Sequence, residues 1–132
     1  MANFTLNELT ASTTAAAKKI SNQPDAIQRA NLQKLIDKVL QPLREAYGKP
    51  IIINSGFRSE ALNAAVGGVK TSQHVKGQAA DITGGSPAEN KVLFNLAQSL
   101  NLPFCQLIDE KGYRWIHISY DENNVKRQIL HL

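Results

Sequence analysis

The feature that most constrains the fold is a long amphipathic segment that runs from Asp25 to Tyr47. Its apolar residues recur at the spacing of one helix face: Ile27, Ala30, Leu32, Leu35, Ile36, Val39, Leu40 and Leu43. A helix with one apolar stripe must bury that stripe against another layer of structure. Pro42 lies inside the pattern and predicts a kink or a new helix start there, and Gly48 predicts the helix end.

Short strand-like runs after this helix indicate the second layer. Ile51–Ile53 predicts a buried strand, and Ala79–Thr83 predicts another. Two further strands are predicted over 104–109 and 114–119, joined by a hairpin turn at Lys111-Gly112. The remaining predicted helices begin after Thr5, or span Glu60–Val66 and Pro87–Leu100. This order predicts an α+β fold in which helices flank a small antiparallel sheet, while the tail 121–132 is too short to interpret.

Length and charge narrow the class of protein. The 132 residues fit one domain, which we expect to span residues 1–132. The net charge is +4, and the basic residues are scattered rather than clustered, so we expect no nucleic-acid partner. Cys105 is the only cysteine, which excludes an internal disulfide. The mild net positive charge fits a soluble protein, which we expect to be a monomer. It also fits attraction to an anionic polymer such as a bacterial wall.

The N-terminal sequence gives an expectation about location. MANFTLNELT has neither the basic nor the apolar region of a signal peptide, and no apolar run is long enough to span a membrane. We therefore expect synthesis in the cytoplasm without a signal peptide, and no membrane insertion. A substrate outside the membrane would require another factor to carry the protein there.

Three residues carry the strongest indication of chemistry. His74 and Asp81 belong to a loop-to-strand stretch that contains Gly77 and small residues, and His117 lies on a predicted strand. Zinc binds imidazole nitrogen and carboxylate oxygen, and a catalytic zinc site uses three protein ligands. Each residue alone also fits a structural role, as a hydrogen-bonded histidine or a capping aspartate. The spacing alone leaves both interpretations open.

The string Ser72-x-His74-x-x-Gly77-x-Ala79-x-Asp81, followed by Trp115-Ile116-His117, resembles the M15 family of zinc peptidases. This family contains the D-alanyl-D-alanine peptidases and related phage endolysins. The resemblance is to the small single-domain branch and extends through nearly the whole chain: Phe4–Leu9, Asn31-Leu32, Leu40–Arg44, Ser55–Ser59, Leu62-Asn63, Gly67-Gly68, Phe104, Gln106–Ile108 and Glu110. It implies the D-Ala-D-Ala peptidase fold, which is hedgehog-like.

The resemblance also implies roles for individual residues. It implies a zinc ion held by His74, Asp81 and His117, and an arginine, here Arg58, that grips the substrate near the zinc. A guanidinium is suited to this task because its planar fork holds a carboxylate or polarises a carbonyl, although most arginines form only surface ion pairs. Ser72 is a candidate to bond substrate or orient a ligand, and its alternative is a simple turn hydroxyl.

The general base is the point at which the sequence departs from the family. Many members place an acidic residue three positions before the last histidine, where this chain has Arg114, which cannot act as a base. Glu110 is the best substitute, because it matches a glutamate common in the smaller branch. Asp109 is a weaker candidate, since strand alternation places it on the opposite face from Glu110.

Hairpin register decides which residues accompany His117. A two-residue turn at Lys111-Gly112 would pair Glu110 with Tyr113 and place Gln106 opposite His117, which makes Gln106 a candidate substrate-binding residue. A three-residue loop would place Cys105 opposite His117 instead. The simpler role for Cys105 is that of a small buried hydrophobe.

Together these observations predict zinc-dependent hydrolysis of a peptide bond in the stem peptides of bacterial peptidoglycan. Cleavage of D-Ala-D-Ala by a carboxypeptidase and of L-Ala-D-Glu by an endopeptidase would use the same zinc site, so both stay open. The alternative is a non-catalytic wall-binding or phage structural module on the same scaffold. A phage or prophage origin is favoured by the lack of both a signal peptide and a separate wall-binding domain.

Overall fold

The computed structural model describes residues 4–132 and contains six α-helices and five strands. The helices are α1 (Leu6–Thr10), α2 (Thr13–Lys18), α3 (Ala26–Leu35), α4 (Gln41–Tyr47), α5 (Glu60–Ala65) and α6 (Pro87–Ser99). The strands are β1 (Ile52–Ser55), β2 (Ala79–Thr83), β3 (Gln106–Glu110), β4 (Trp115–Ser119) and β5 (Gln128–His131). Predicted bounds of the shorter elements agree within two residues. No described helix is both long and apolar enough to cross a lipid bilayer.

The predicted long helix forms as α3 and α4 joined by a π-helical turn, Ile36–Leu40. Asp25 caps the start, accepting from the Gln28 backbone N–H at 2.8 Å. Pro42 lies in the first turn of α4, where a missing N–H is tolerated, so the predicted new helix start is confirmed. Gly48 ends α4 in the left-handed region, at φ 73°.

The sheet order is β1-β2-β4-β3-β5. The first four strands pair antiparallel, but β5 pairs parallel with β3. The α+β class is therefore confirmed, whereas the prediction of a purely antiparallel sheet is wrong. The difference arises because the C-terminal tail runs along the outer edge of β3 and forms an additional strand there. The strand predicted at Ile51–Ile53 lies at the opposite edge, where Ile52 is 57% exposed, so it is not a buried strand.

The β3–β4 hairpin has a register that differs from both predicted ones. Glu110 pairs with Trp115, and Ile108, rather than Gln106 or Cys105, lies opposite His117. The loop spans residues 111–114, and its first three residues have φ of 53°, 69° and 66°. Three consecutive left-handed residues need a longer loop than the two-residue turn predicted, and this shifts the pairing.

The two faces of the sheet have different chemistry. One face packs against the helices and supplies the core: Ala80, Ile82, Leu107, Ile116 and Ile118 are all at most 1% exposed. Each large side chain buried there contributes roughly 1.5–3 kcal/mol. The alternate residues of the same strands project from the opposite face, and these include Asp81, Gln106, Glu110 and His117. The candidate site therefore forms on the face that the helical layer leaves open.

Candidate metal centre

Contacts with the protein backbone fix the position of His74 in the absence of a metal ion. It lies in the turns that precede β2, and its backbone carbonyl accepts from the Arg58 N–H at 3.1 Å. Its Nδ1 lies 2.7 Å from the Gly56 carbonyl oxygen. A carbonyl only accepts, so Nδ1 carries the proton and Nε2 has a free lone pair. This outer contact aims Nε2 at Asp81, from whose Oδ1 it lies 3.4 Å away.

Asp81 and His117 meet because they are direct partners on β2 and β4. Directly paired residues of antiparallel strands project from the same face. His117 Nδ1 lies 3.0 Å from Asp81 Oδ1, and the His74 and His117 rings are 5.2 Å apart between centroids. One donor atom from each of the three side chains lies within 4.8 Å of the other two. Three residues separated by up to 43 positions therefore converge on one point.

The donor set fits a zinc ion. Zinc bonds of about 2.0–2.1 Å at tetrahedral angles place neighbouring donor atoms about 3.3 Å apart. The two donor separations at Asp81 Oδ1, 3.0 Å and 3.4 Å, bracket that value. Within residues 4–132, this is the only group of three or more histidine, cysteine or acidic side chains that converges in this way. Three protein donors leave a fourth position for water or substrate.

The Asp81 carboxyl is held in the form that binds a metal. Burial alone would raise its pKa, because a buried carboxylate loses hydration. Hydrogen bonds and charge attraction from His117 and His74 outweigh burial, and hold the pKa of Asp81 well below its usual range. The carboxylate is therefore ionised at neutral pH.

Arg58 lies at the edge of the cluster. Its Nη2 is 3.6 Å from Asp81 Oδ2, and its side chain is 18% exposed. Ser55 Oγ accepts from its Nε at 3.1 Å, and Asn63 Oδ1 accepts from its Nη1 at 3.3 Å. The guanidinium is thus fixed beside the metal donors by two neutral side chains, which the sequence did not single out.

A cleft of about 440 Å³ opens beside His117. Its lining residues are Val69, Thr71, Ser72, Gln73, Cys105, Gln106, Ile108, Glu110, His117, Asn124, Lys126 and Leu132. The structure therefore brings the candidate residues Ser72, Gln106 and Glu110 together with one of the three metal donors. Cys105 is 2% exposed, which confirms its prediction as a buried residue. A second cavity, of about 200 Å³, lies on the Arg58 side and includes Ser55 in its lining.

The two carboxylates near the hairpin point in opposite directions, as strand alternation predicted. Glu110 lines the cleft, and its Oε2 accepts from the Trp115 indole N–H at 3.2 Å. Asp109 is buried on the core side, where it contacts His131. Glu110 therefore shares the face of His117, from which Asp109 is excluded.

Gly56 is a functional position that the sequence analysis did not identify. A Cβ atom there would lie 2.3 Å from the backbone oxygen of Leu9, so no other residue fits without movement. The same glycine provides the carbonyl that orients His74. Its place directly before Phe57-Arg58 is the only sequence signal that could have indicated it.

Comparison with known proteins agrees with this geometry. The family model described as Peptidase M15 matches residues 2–119. The zinc D-Ala-D-Ala carboxypeptidase of Streptomyces albus G is 48% identical over 62 residues, which cover 46% of this chain and 24% of that protein. The chain thus spans about a quarter of the length of this curated relative. The predicted resemblance is confirmed: this chain belongs to the M15 family of peptidases.

Proposed function

We propose that this chain is a zinc-dependent metallopeptidase that hydrolyses a peptide bond in the stem peptides of bacterial peptidoglycan. The observation that carries the proposal is the convergence of His74, Asp81 and His117 on one point at the edge of an open cleft. The family and the known activity in the name of the Streptomyces relative, a zinc D-Ala-D-Ala carboxypeptidase, support both the metal and the substrate class.

His74, Asp81 and His117 would hold the zinc. When bound, zinc acts as a Lewis acid, which makes water a stronger acid and polarises a peptide carbonyl. The Gly56 carbonyl fixes the tautomer of His74 that leaves Nε2 free to bind a metal. The ionised Asp81 carboxylate would offset part of the metal charge. Arg58 presents its guanidinium beside this centre, where it can hold a substrate carbonyl or carboxylate.

Glu110 would take the proton from the attacking water. It is the only aspartate or glutamate among the described residues that line the cleft, and the Trp115 N–H orients it. Arg114 occupies the position of the usual acid, and its backbone carbonyl instead accepts from the buried Asn90. Ser72 and Gln106, which line the same cleft, would contact the substrate.

The proposal is tested by incubating the zinc-loaded protein with purified peptidoglycan and measuring newly exposed amines and free D-alanine. We expect release that stops when a chelator removes zinc and returns when zinc is restored. Free D-alanine would identify a carboxypeptidase, and a new amine without D-alanine would identify an endopeptidase. Zinc-loaded protein that releases neither product would contradict the proposal.

A non-catalytic wall-binding module is the second candidate function. The observation that favours it is Arg114 at the position where many family members carry an acid. This module would sediment with peptidoglycan in the presence of zinc but release no product. The same incubation therefore separates the two functions, since only the peptidase generates amines.

A further inference from the structure

The C-terminal segment 121–132 forms one wall of the cleft beside the metal donors. Asn124, Lys126 and Leu132 from this segment line the same cleft as Ser72. The segment lies beyond the residues matched by the family model, which end at 119. It is therefore a part of the site that the family match does not account for.

Backbone hydrogen bonds fix this wall to β3. The N–H groups of Arg127, Gln128 and Leu132 donate to carbonyls along and just before that strand, at 3.1, 2.9 and 2.8 Å. The Arg127 side chain donates to the Leu102 carbonyl at 3.2 Å and stacks over a phenylalanine ring. Because its neighbour Arg127 is anchored on the far side, Lys126 is held at the cleft.

The charge of the cleft points to the group that Lys126 would bind. Lys126 is the only lysine or arginine among the described lining residues, and Glu110 is the only aspartate or glutamate. Lys126 has no acidic partner within 4 Å among residues 4–132, so its ammonium group is not neutralised by the protein. An unpaired ammonium in a cleft that is also lined by the hydroxyl residues Thr71 and Ser72 is complementary to a carboxylate.

We propose that Lys126 is a specificity-determining residue that binds a carboxylate of the peptide substrate. The proposal rests on the proposed function and adds the chemical class of substrate: a peptide with a free carboxylate on the Glu110 side of the metal. That carboxylate is either the C-terminal group, as in a carboxypeptidase substrate, or an internal one, as on a glutamate linked through its side chain.

The test uses three soluble synthetic stem peptides and the zinc-loaded full chain. One peptide has all carboxylates free, one has its C-terminus amidated, and one has its internal glutamate carboxylate amidated. We expect one amidation to lower kcat/KM about three- to tenfold, and this preference to shrink at high salt. The amidated position that matters identifies which of the two carboxylates Lys126 binds.

Substitutions at Lys126 test whether this residue causes the preference for a free carboxylate. Lys126→Ala should abolish it, Lys126→Glu should reverse it, and Lys126→Arg should keep it. Lys91→Glu on α6 is the matched control, since it makes the same charge change at an exposed position on the other face of the sheet. Equal zinc content in all variants shows that the metal site is intact.

The outcomes separate this proposal from the proposed function. If the parent cleaves all three peptides equally and Lys126→Glu changes nothing, the role of Lys126 is overturned while hydrolysis stands. If the zinc-loaded parent cleaves none of the three peptides, the proposed hydrolytic function is wrong. Calorimetric measurement of binding of the same peptides then decides whether Lys126 binds a carboxylate. Weaker binding of one amidated peptide would support Lys126, and equal or absent binding of all three would overturn it.

Discussion

Two histidine–aspartate groups lie on opposite faces of the same sheet, and only one of them can form a metal site. Asp81 meets His117 and His74 on the open face, and Asp109 meets His131 on the helix-covered face. Both aspartates are at most 13% exposed in their side chains. The histidines differ, because His131 is 67% exposed and the other two are at most 13% exposed.

The difference lies in what surrounds each pair. On the open face, strand register pairs Asp81 with His117, and a turn brings His74 to that pair. The cleft beside His117 gives a substrate access to the three side chains. On the other face, Asp109 also pairs with its histidine by register, but the ring of Phe94 lies 5.6 Å from that of His131. An apolar neighbour there takes the place of a third donor. Convergence of three donors, rather than a histidine–aspartate contact, defines the site.

The largest expected effect is on zinc content, which should differ between variants of the Asp81 group and variants of the Asp109–His131 group. Asp81→Ala should lose zinc and reduce hydrolysis to background, because two histidines alone hold zinc far more weakly. His131→Ala is the matched control and should keep both zinc and activity. Elemental analysis after dialysis against trace zinc measures the stoichiometry. Equal zinc in Asp81→Ala and the parent would show that the site is assigned wrongly.

The second prediction concerns the two carboxylates of β3. Glu110→Gln should keep zinc and lower kcat by roughly 10²–10⁴-fold, as expected when a general base is removed. Asp109→Asn, one residue away on the other face, should keep zinc and leave kcat within about twofold, because Asp109 is buried away from the cleft. Glutamine at 110 with unchanged kcat would remove Glu110 from the mechanism.

The third prediction concerns Arg58. Arg58→Ala should lower kcat/KM by roughly 10²-fold with zinc retained, because it removes a charge aimed at the reacting carbonyl. Arg58→Lys should recover only part of the loss, since an ammonium lacks the planar fork that Ser55 and Asn63 hold in place. Arg29→Lys on α3 is the control. A purely structural Arg58 would instead lower thermal stability without changing kcat/KM at 25 °C.

The smallest expected effect comes from changing Gly56, whose carbonyl oxygen orients the His74 ring. Gly56→Ala must move either Leu9 or the carbonyl that holds Nδ1, and we expect a loss of about 1–3 kcal/mol in the free energy of unfolding. Zinc affinity should fall about 10–100-fold, as is typical when an outer partner is disturbed. Gly85→Ala is the control for zinc affinity, because its positive φ also makes alanine costly for stability while its Cβ position has open space. Equal zinc affinity in both variants would contradict the role of Gly56.

The sequence predicted the elements well because periodicity is a local property. The apolar spacing from Asp25 to Tyr47 and the alternation around His117 both gave elements that the structure contains. The grouping of His74, Asp81 and His117 came from the family resemblance, since nothing in their spacing alone reveals strand pairing. Register was therefore the point at which prediction failed.

The errors share one physical origin, which is strand pairing. The hairpin loop is longer than predicted because residues 111–113 all adopt left-handed conformations, of which only Gly112 gives a sequence signal. β5 pairs with a strand about twenty residues earlier, and its own four residues show no clear pattern. The contact of His131 with Asp109 depends on that pairing, so His131 could be predicted only as an exposed residue.

The central claim is that one zinc ion is bound between His74, Asp81 and His117. Anomalous diffraction at the zinc absorption edge, from crystals grown with one equivalent of zinc, tests it most directly. We expect a single strong peak about 2.0–2.1 Å from His74 Nε2, His117 Nδ1 and an Asp81 oxygen. A peak at His131 and Asp109 instead, or no peak at the three donors in crystals that contain zinc, would contradict it.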